Sequence, residues 1–232
     1  MGSEILKYWP QIIAPSSKEL DITDRLSVQK FFKRHKAKVV IHTAAMTDVC
    51  KCETVPDEAL RVNVLGVINL FEACRKEKKK LVYISTDHIF DGKKGNYKEE
   101  DRPNPFGVYA FTKFLGEKIT LLNPKNLVIR TSFIKNFKFP RAFKDKYFSG
   151  DTIDIVTKDI ILAVKSDLCG VWNIGGEKVS IYDIAKKLKQ DVKPMKLKDN
   201  PINKVGLVYL KDVSLNVNRW KKFKNKRGRV RE

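Results

Sequence analysis

At 232 residues the chain has room for one sizeable domain, or a domain with a smaller appendage, and its 42% apolar content excludes disorder over most of its length. Lys and Arg number 47 against 27 Asp and Glu, a formal charge of +20, which favours anionic partners such as nucleic acids, dinucleotides and nucleotide sugars. There is no run of eighteen apolar residues and no basic start followed by an apolar stretch, so neither a membrane span nor a secretory signal is expected, and the cytoplasm is the default compartment.

In chain order, "QIIAPS" reads as a short strand. "DITDRLSVQKFFKRHK" reads as a helix capped by Asp24, with Leu26, Val28, Phe31 and Phe32 for its buried side. "KVVIHTAA" is a buried strand. The long stretch "PDEALRVNVLGVINLFEACRKEKKK" is helical, with Leu60, Val64, Val67, Ile68, Phe71 and Ala73 recurring at threes and fours. "KLVYIST" is another strand, and a loop rich in Gly, Asp, Pro and Asn leads to the helix "VYAFTKFLGEK" and the strand "NLVIRTSFI". Beyond residue 135 come a helix in "TIDIVTKDIILAVKSD", a strand in "GVWNIGG" and a helix opened by the capping-box pair Ser180 and Asp183. Strands apolar on both faces alternating with helices predict an α/β fold, a doubly wound parallel sheet covered on each side. Residues 1–135 are expected to form the core. Residues 136–232 form a smaller region, whose helix at about 155–166 packs back on that core.

Tyr109 and Lys113 stand four apart on one helix face, so phenol and ammonium can reach one point. The ends of the three central strands read "HTAAMTD", "STDHIFDG" and "RTSF", small and hydroxyl-rich where an open α/β sheet receives its ligand. Cys50 and Cys52 form only C-x-C, Cys74 and Cys169 are distant, and His35, His42 and His88 do not cluster. No metal site is predicted, and the thiols are expected to be buried or half-buried. The basic run "RKEKKKLV" suits a helix C-terminus, and "RWKKFKNKRGRVRE" reads as a disordered or fraying tail. Without a zinc-finger or RNA-recognition signature, the charge alone does not argue for nucleic acid.

"VIHTAAMTDVCKCE", "RVNVLGVINLFEAC", "YISTDHIFDG", "NPFGVYAFTKFLGEK" and "VIRTS", in this order and spacing, resemble the extended short-chain dehydrogenase/reductases, and within them the dTDP-4-dehydrorhamnose reductase-like, sugar-nucleotide-binding family. "DVSLNVNRW" looks like that family's closing segment, so the likeness covers roughly residues 2 to 220. It implies a Rossmann-like fold and NAD(P)H-dependent reduction of a nucleotide-linked 4-keto-6-deoxy sugar. Tyr109 would be the proton donor, Lys113 would lower the phenol pKa and hold the nicotinamide ribose, and Thr86, with Ser85, would bond the carbonyl oxygen. Cofactor contacts carried over are Gly2, Ser16, Ser17, Asp21, Ile22, Ala44, Ala45, Thr47 and Asn63, together with Tyr109 and Lys113. Substrate contacts are Ser85, Thr86, Asp87, Arg130, Phe133 and Asn173. For Asn63 a water-binding role and a plain helix-surface amide both stand, and Arg130 and Phe133 serve equally well as structural residues. With no acid near Ser16 and Ser17 and with Lys18 beside them, NADP is favoured over NAD. A homodimer stays open. A second reading is a non-catalytic nucleotide-binding regulator resembling the methionine adenosyltransferase regulatory subunit.

The likeness has gaps. The family opens with a strand and G-x-x-G-x-x-G, whereas this sequence opens "MGSEILKYWP", Gly2 matching the third glycine. Losing the central strand is expected to split the sheet at its middle and expose two rows of backbone groups. The readings are an incomplete sequence, which is preferred, a substitute strand from elsewhere or from a partner, or a protein that no longer binds dinucleotide. His88 replaces a usual tyrosine and Phe133 a frequent tryptophan, and Lys135 to Gly150 is short, basic and aromatic.

Overall fold

The computed structural model describes residues 1–199 and 210–228. In chain order its elements are α1 (Gly2–Tyr8), α2 (Arg25–Arg34), β1 (Val39–His42), α3 (Val49–Thr54), α4 (Pro56–Leu60), a π-helical turn (Arg61–Leu65), α5 (Gly66–Lys76), β2 (Lys80–Thr86), a 3₁₀ turn (Asp87–Ile89), α6 (Gly107–Thr120) and β3 (Leu127–Thr131). There follow β4 (Phe133–Ile134), β5 (Arg141–Phe143), β6 (Tyr147–Phe148), β7 (Asp151–Thr152), α7 (Ile153–Lys165), β8 (Gly170–Asn173), β9 (Val179–Ser180), α8 (Ile181–Leu188), β10 (Lys193–Met195) and α9 (Asn218–Gly228).

Four strands form one parallel sheet in the order β1-β2-β3-β8, with Val82 opposite Leu127 and Leu127 opposite Gly170. Side chains alternate across it. Val82, Ile84, Leu127 and Ile129 meet Ile5 of α1 and Val156 and Ile160 of α7 on one face. Leu81 packs with Val28, Phe32 and Leu70 of α2 and α5, and Tyr83 and Val128 with Val67, on the other. Burial on both faces is why these strands read as continuous apolar runs. Beyond β3 the chain is pinned by short pairs, β4 with β7, β5 with β10 and β6 with β9.

Several local expectations hold. Asp24 accepts the Leu26 N–H at the start of α2, and Ser180 and Asp183 form a full capping box on α8. Others change. Leu26 is 62% exposed, because α2 turns Val28 and Phe32 inward instead. The π turn shifts the phase of the long helical run, so Leu60 is exposed while Asn63, Leu70 and Cys74 are buried. Gln11–Ser16 forms no strand, since among the described residues no strand pairs with it, and Ser16 turns its backbone to Glu19 and Leu20 instead. The sheet is not divided at its middle either. It is one contiguous set of four with β1 as an edge, and Val39, Val40 and Ile41 are only half-buried there.

The basic C-terminal run is not a fraying tail through residue 228. Trp220 is fully buried, its Nε1–H donates to Asp159 at 2.8 Å, and its ring and that of Phe223 pack on Trp172, which holds α9 as a helix. Residues 229–232 lie outside the described residues. Cys50 and Cys169 are exposed, contrary to expectation, while Cys52 and Cys74 are buried. Among the described residues no helix is long and apolar enough to cross a membrane.

Beneath α6 lies a buried ion pair. Arg130 of β3 grips Glu117 through Nε at 3.1 Å and Nη2 at 2.9 Å, and both are almost wholly buried. Removing one partner leaves a charge without compensation. Glu117→Gln is therefore expected to destabilise the fold by about 3–5 kcal/mol, with Glu117→Gln/Arg130→Met closer to the parent, as read from urea unfolding midpoints.

Candidate active site

The carboxyl ends of the four sheet strands converge on one mouth. There His42 ends β1, Ser85 and Thr86 end β2, Thr131 ends β3 and Asn173 ends β8. Buried polar atoms with no hydrogen-bond partner among the described residues collect here: His42 Nε2, Ser85 Oγ, Asp87 Oδ2, Thr131 Oγ1 and Asn173 Oδ1. Buried polar atoms are ordinarily satisfied, so a row of unsatisfied ones at strand ends marks a place built to receive a polar ligand.

Tyr109 lies on the first turn of α6, whose start is fixed by Glu53 accepting the Val108 N–H at 2.7 Å. Its phenol lies beside the Thr86 hydroxyl, and its ring meets the edge of His88 at 6.0 Å. The Thr86 hydroxyl donates to Asp87 Oδ1 at 3.1 Å and accepts the His88 N–H at 3.2 Å. Burial pushes the Tyr109 phenol up to about 12, against the lowering effect of Thr86. Burial also raises the Asp87 carboxyl, opposed first by His88.

Lys113, one turn along, is 4% exposed. Its ammonium donates to the Ile84 carbonyl at 2.7 Å and sits 4.1 Å above the Tyr83 ring. Burial pulls it down to about 7, with Glu117 opposing. The expected lowering of the phenol by Lys113 is absent from this arrangement: the net shift of Tyr109 is upward, and the hydroxyl that answers it belongs to Thr86.

The remaining predicted residues divide. Asn63 is buried and is neither a surface amide nor a free one, because it accepts from Met46 N at 2.8 Å and donates to Met46 O and Thr112 Oγ1, each at 3.0 Å. It clamps the loop carrying Ala44, Ala45 and Thr47 to α6, and leaves Ala44 and Thr47 exposed on the mouth. Gly2 opens α1 against that loop, where an added Cβ would stand 2.9 Å from Thr43 Oγ1. Asp21 closes a turn on Thr23, and the Ile22 carbonyl is held by Asn69. Ser16 and Ser17 are exposed. The expectation of no acid beside them fails, since Glu19 folds back to accept from Ser16 N and Oγ, each at 2.8 Å.

On the substrate side, Ser85 and Asp87 join Thr86 and Tyr109. Arg130 does not face the mouth: besides Glu117, it donates to the Glu99 carbonyl at 3.0 Å and lies over the Phe90 ring. Phe133 is half-buried in β4 and packs against the core. Asn173 donates to Tyr97 O and Asn216 O, while its own Oδ1 is one of the unsatisfied atoms. Sequence reasoning missed His42, Glu53 and Thr131. The signal for His42 and Thr131 was their place at strand ends beside residues already chosen.

A sequence model described as "RmlD substrate binding domain" matches residues 3–161, more than half of the chain. The chain belongs to this family. It is 31% identical over 215 residues to the dTDP-4-dehydrorhamnose reductase of Aggregatibacter actinomycetemcomitans, covering 82% of this chain and 73% of that one. Among solved structures, a hypothetical dTDP-4-dehydrorhamnose reductase from Sulfolobus tokodaii superposes with a TM-score of 0.83 at 30% identity, covering 95% of this chain and 90% of that one. A Bacillus anthracis dTDP-4-dehydrorhamnose reductase in complex with NADP superposes with a TM-score of 0.79 at 24% identity, covering 91% and 83%, and shows the common Rossmann-like fold.

The buried Lys113 makes stability depend on pH. Its folded pKa of about 7 lies below its ordinary 10.5, so between these values the unfolded chain binds more protons and stability rises with pH. Urea unfolding between pH ~7 and pH ~10 should show this rise in the parent protein and a flatter curve in Lys113→Met.

Proposed function

We propose that this member of the RmlD family catalyses NAD(P)H-dependent reduction of the 4-keto group of a nucleotide-linked 6-deoxy sugar. The observation that carries the reading is the Tyr109 phenol beside Thr86 at the strand ends, one helical turn from a buried Lys113. The names of the relatives support the substrate class, and the NADP bound to the Bacillus anthracis protein supports NADP as cofactor. The unsatisfied Ser85, Thr131 and His42 atoms and the exposed loop at Ala44 and Thr47 suit a polar dinucleotide along the mouth. The chemistry that a bound nicotinamide supplies is hydride delivery to the carbonyl carbon.

The chain's own residues then handle the oxygen. As charge grows on it, Thr86 and Tyr109 are the two neighbouring hydroxyls that would bond it, Thr86 turning its proton from Asp87 to do so. Tyr109 gives up its proton. A phenol held at about 12 keeps that proton through neutral pH, so it enters the reaction as an acid. Lys113, fixed under the helix by the Ile84 carbonyl one turn along α6, is the group that would meet a ribose hydroxyl. Arg130 is tied to Glu117 and acts in this scheme as support for α6, not as a sugar contact.

The test is NADPH oxidation in the presence of a dTDP-4-keto-6-deoxy sugar. Tyr109→Phe is expected to lower kcat by about 10²–10⁴-fold with little change in KM, the range for loss of a positioned general acid. Unchanged turnover in this variant would remove Tyr109 from the role. Tight nucleotide binding without any turnover in the parent protein would favour a binding function instead.

A further inference from the structure

At the opposite edge of the sheet two separate chain segments meet. Residues 33–38 leave α2 and enter β1, and residues 76–80 leave α5 and enter β2. Between them lies a shallow, open hollow of about 360 Å³. Five lysines line it: Lys33, Lys36 and Lys38 from the first segment, Lys78 and Lys79 from the second, with Glu77 as the one acid among the lining residues. Among the described residues none of the five forms an ion pair, whereas Lys80 just beyond them is matched with Asp167 at 2.5 Å.

Helix dipoles explain part of this charge, since Lys33 and Arg34 close α2 and Arg75 and Lys76 close α5. They do not explain Lys36, Lys38, Lys78 and Lys79, which lie past the helix ends. Lys79 knits the two segments together, its ammonium donating to the carbonyls of His35 at 3.0 Å and Ala37 at 2.7 Å. Lys78 adds an independent sign. It occupies a left-handed conformation, φ +51°, at the turn where Lys79 N bonds back to Cys74 O at 2.8 Å. Glycine is the residue that fits such a helix end without strain, so a lysine there carries a conformational cost.

We propose that this hollow binds a compact oligophosphate, two or more phosphate groups joined or closely clustered, whose charge relieves the repulsion among the lysines. A free oligophosphate and a polyphosphorylated lipid headgroup present the same chemistry. Single-stranded nucleic acid fits less well, because the Phe32 ring in the hollow is buried beneath Lys79 and offers no face for a base. The seven residues of β2 separate the hollow from Thr86 by about 20 Å, so the site is distinct from the catalytic mouth and does not rest on the reductase reading.

The test is thermal unfolding and calorimetric titration of the full chain with inorganic tripolyphosphate, against sodium sulfate at equal ionic strength. A saturable rise in Tm with tripolyphosphate is expected, and Lys36→Glu/Lys78→Glu should weaken its binding by at least about tenfold. Lys78→Gly should raise the Tm of the free protein while weakening tripolyphosphate, a pairing of effects that a merely structural lysine would not give. Vesicles of phosphatidylcholine with and without a phosphatidylinositol bisphosphate distinguish the sources: capture that tripolyphosphate competes away names the headgroup, and no capture names the free anion. An equal effect of sulfate, binding unchanged in the charge-reversed variant, or vesicle capture insensitive to tripolyphosphate would each overturn the proposal.

Discussion

The arrangement depends on how closely α6 lies against β2. Gly116 sets that distance: a Cβ there would fall 2.3 Å from the Tyr83 hydroxyl, so any larger residue would drive helix and strand apart. With the helix seated, Tyr109, Lys113 and Glu117 form a polar stripe at successive fourth positions, all turned toward the sheet. Each finds a different partner. The phenol meets Thr86, the ammonium meets the Ile84 carbonyl, and the carboxylate meets Arg130. A buried stripe of this kind is costly unless every member is answered, and the answers come from β2 and β3, which ties the position of the phenol to the packing of the sheet.

That dependence explains why the mouth and its support carry different kinds of polar group. Along the stripe Lys113 and Glu117 are matched. At the strand ends, in contrast, His42, Ser85, Asp87, Thr131 and Asn173 each keep an unsatisfied atom. The matched groups hold geometry, and the unmatched ones are buried at the strand ends without a partner. Asn63 joins the two sets, since the π turn that rotates it inward lets one amide hold both the mouth loop and α6.

Much of this was legible in the sequence because it is local. The Asp24 cap, the Ser180 and Asp183 capping box and the fourfold spacing of Tyr109 and Lys113 need only near neighbours, and continuous apolar runs announced β2 and β3. What failed depends on distant partners. For Arg130 substrate contact and structural support both stood, and its ion pair with Glu117, thirteen residues away, was not legible in the sequence. Glu19 was overlooked beside Ser16, and the helical period of the long run missed the π turn, which changes phase without changing composition. "QIIAPS" has strand character but no strand beside it. The C-terminal run looked like a solvated tail because Trp172 and Asp159, which hold Trp220, lie far back in the chain.

The most direct measurement is turnover of Gly116→Ala, alone and combined with Tyr83→Leu, in the NADPH oxidation assay. If the seat of α6 on β2 places the phenol, the single variant should lose at least about tenfold in kcat, and removing the Tyr83 hydroxyl and ring should restore part of it. Parental turnover in Gly116→Ala would contradict that dependence.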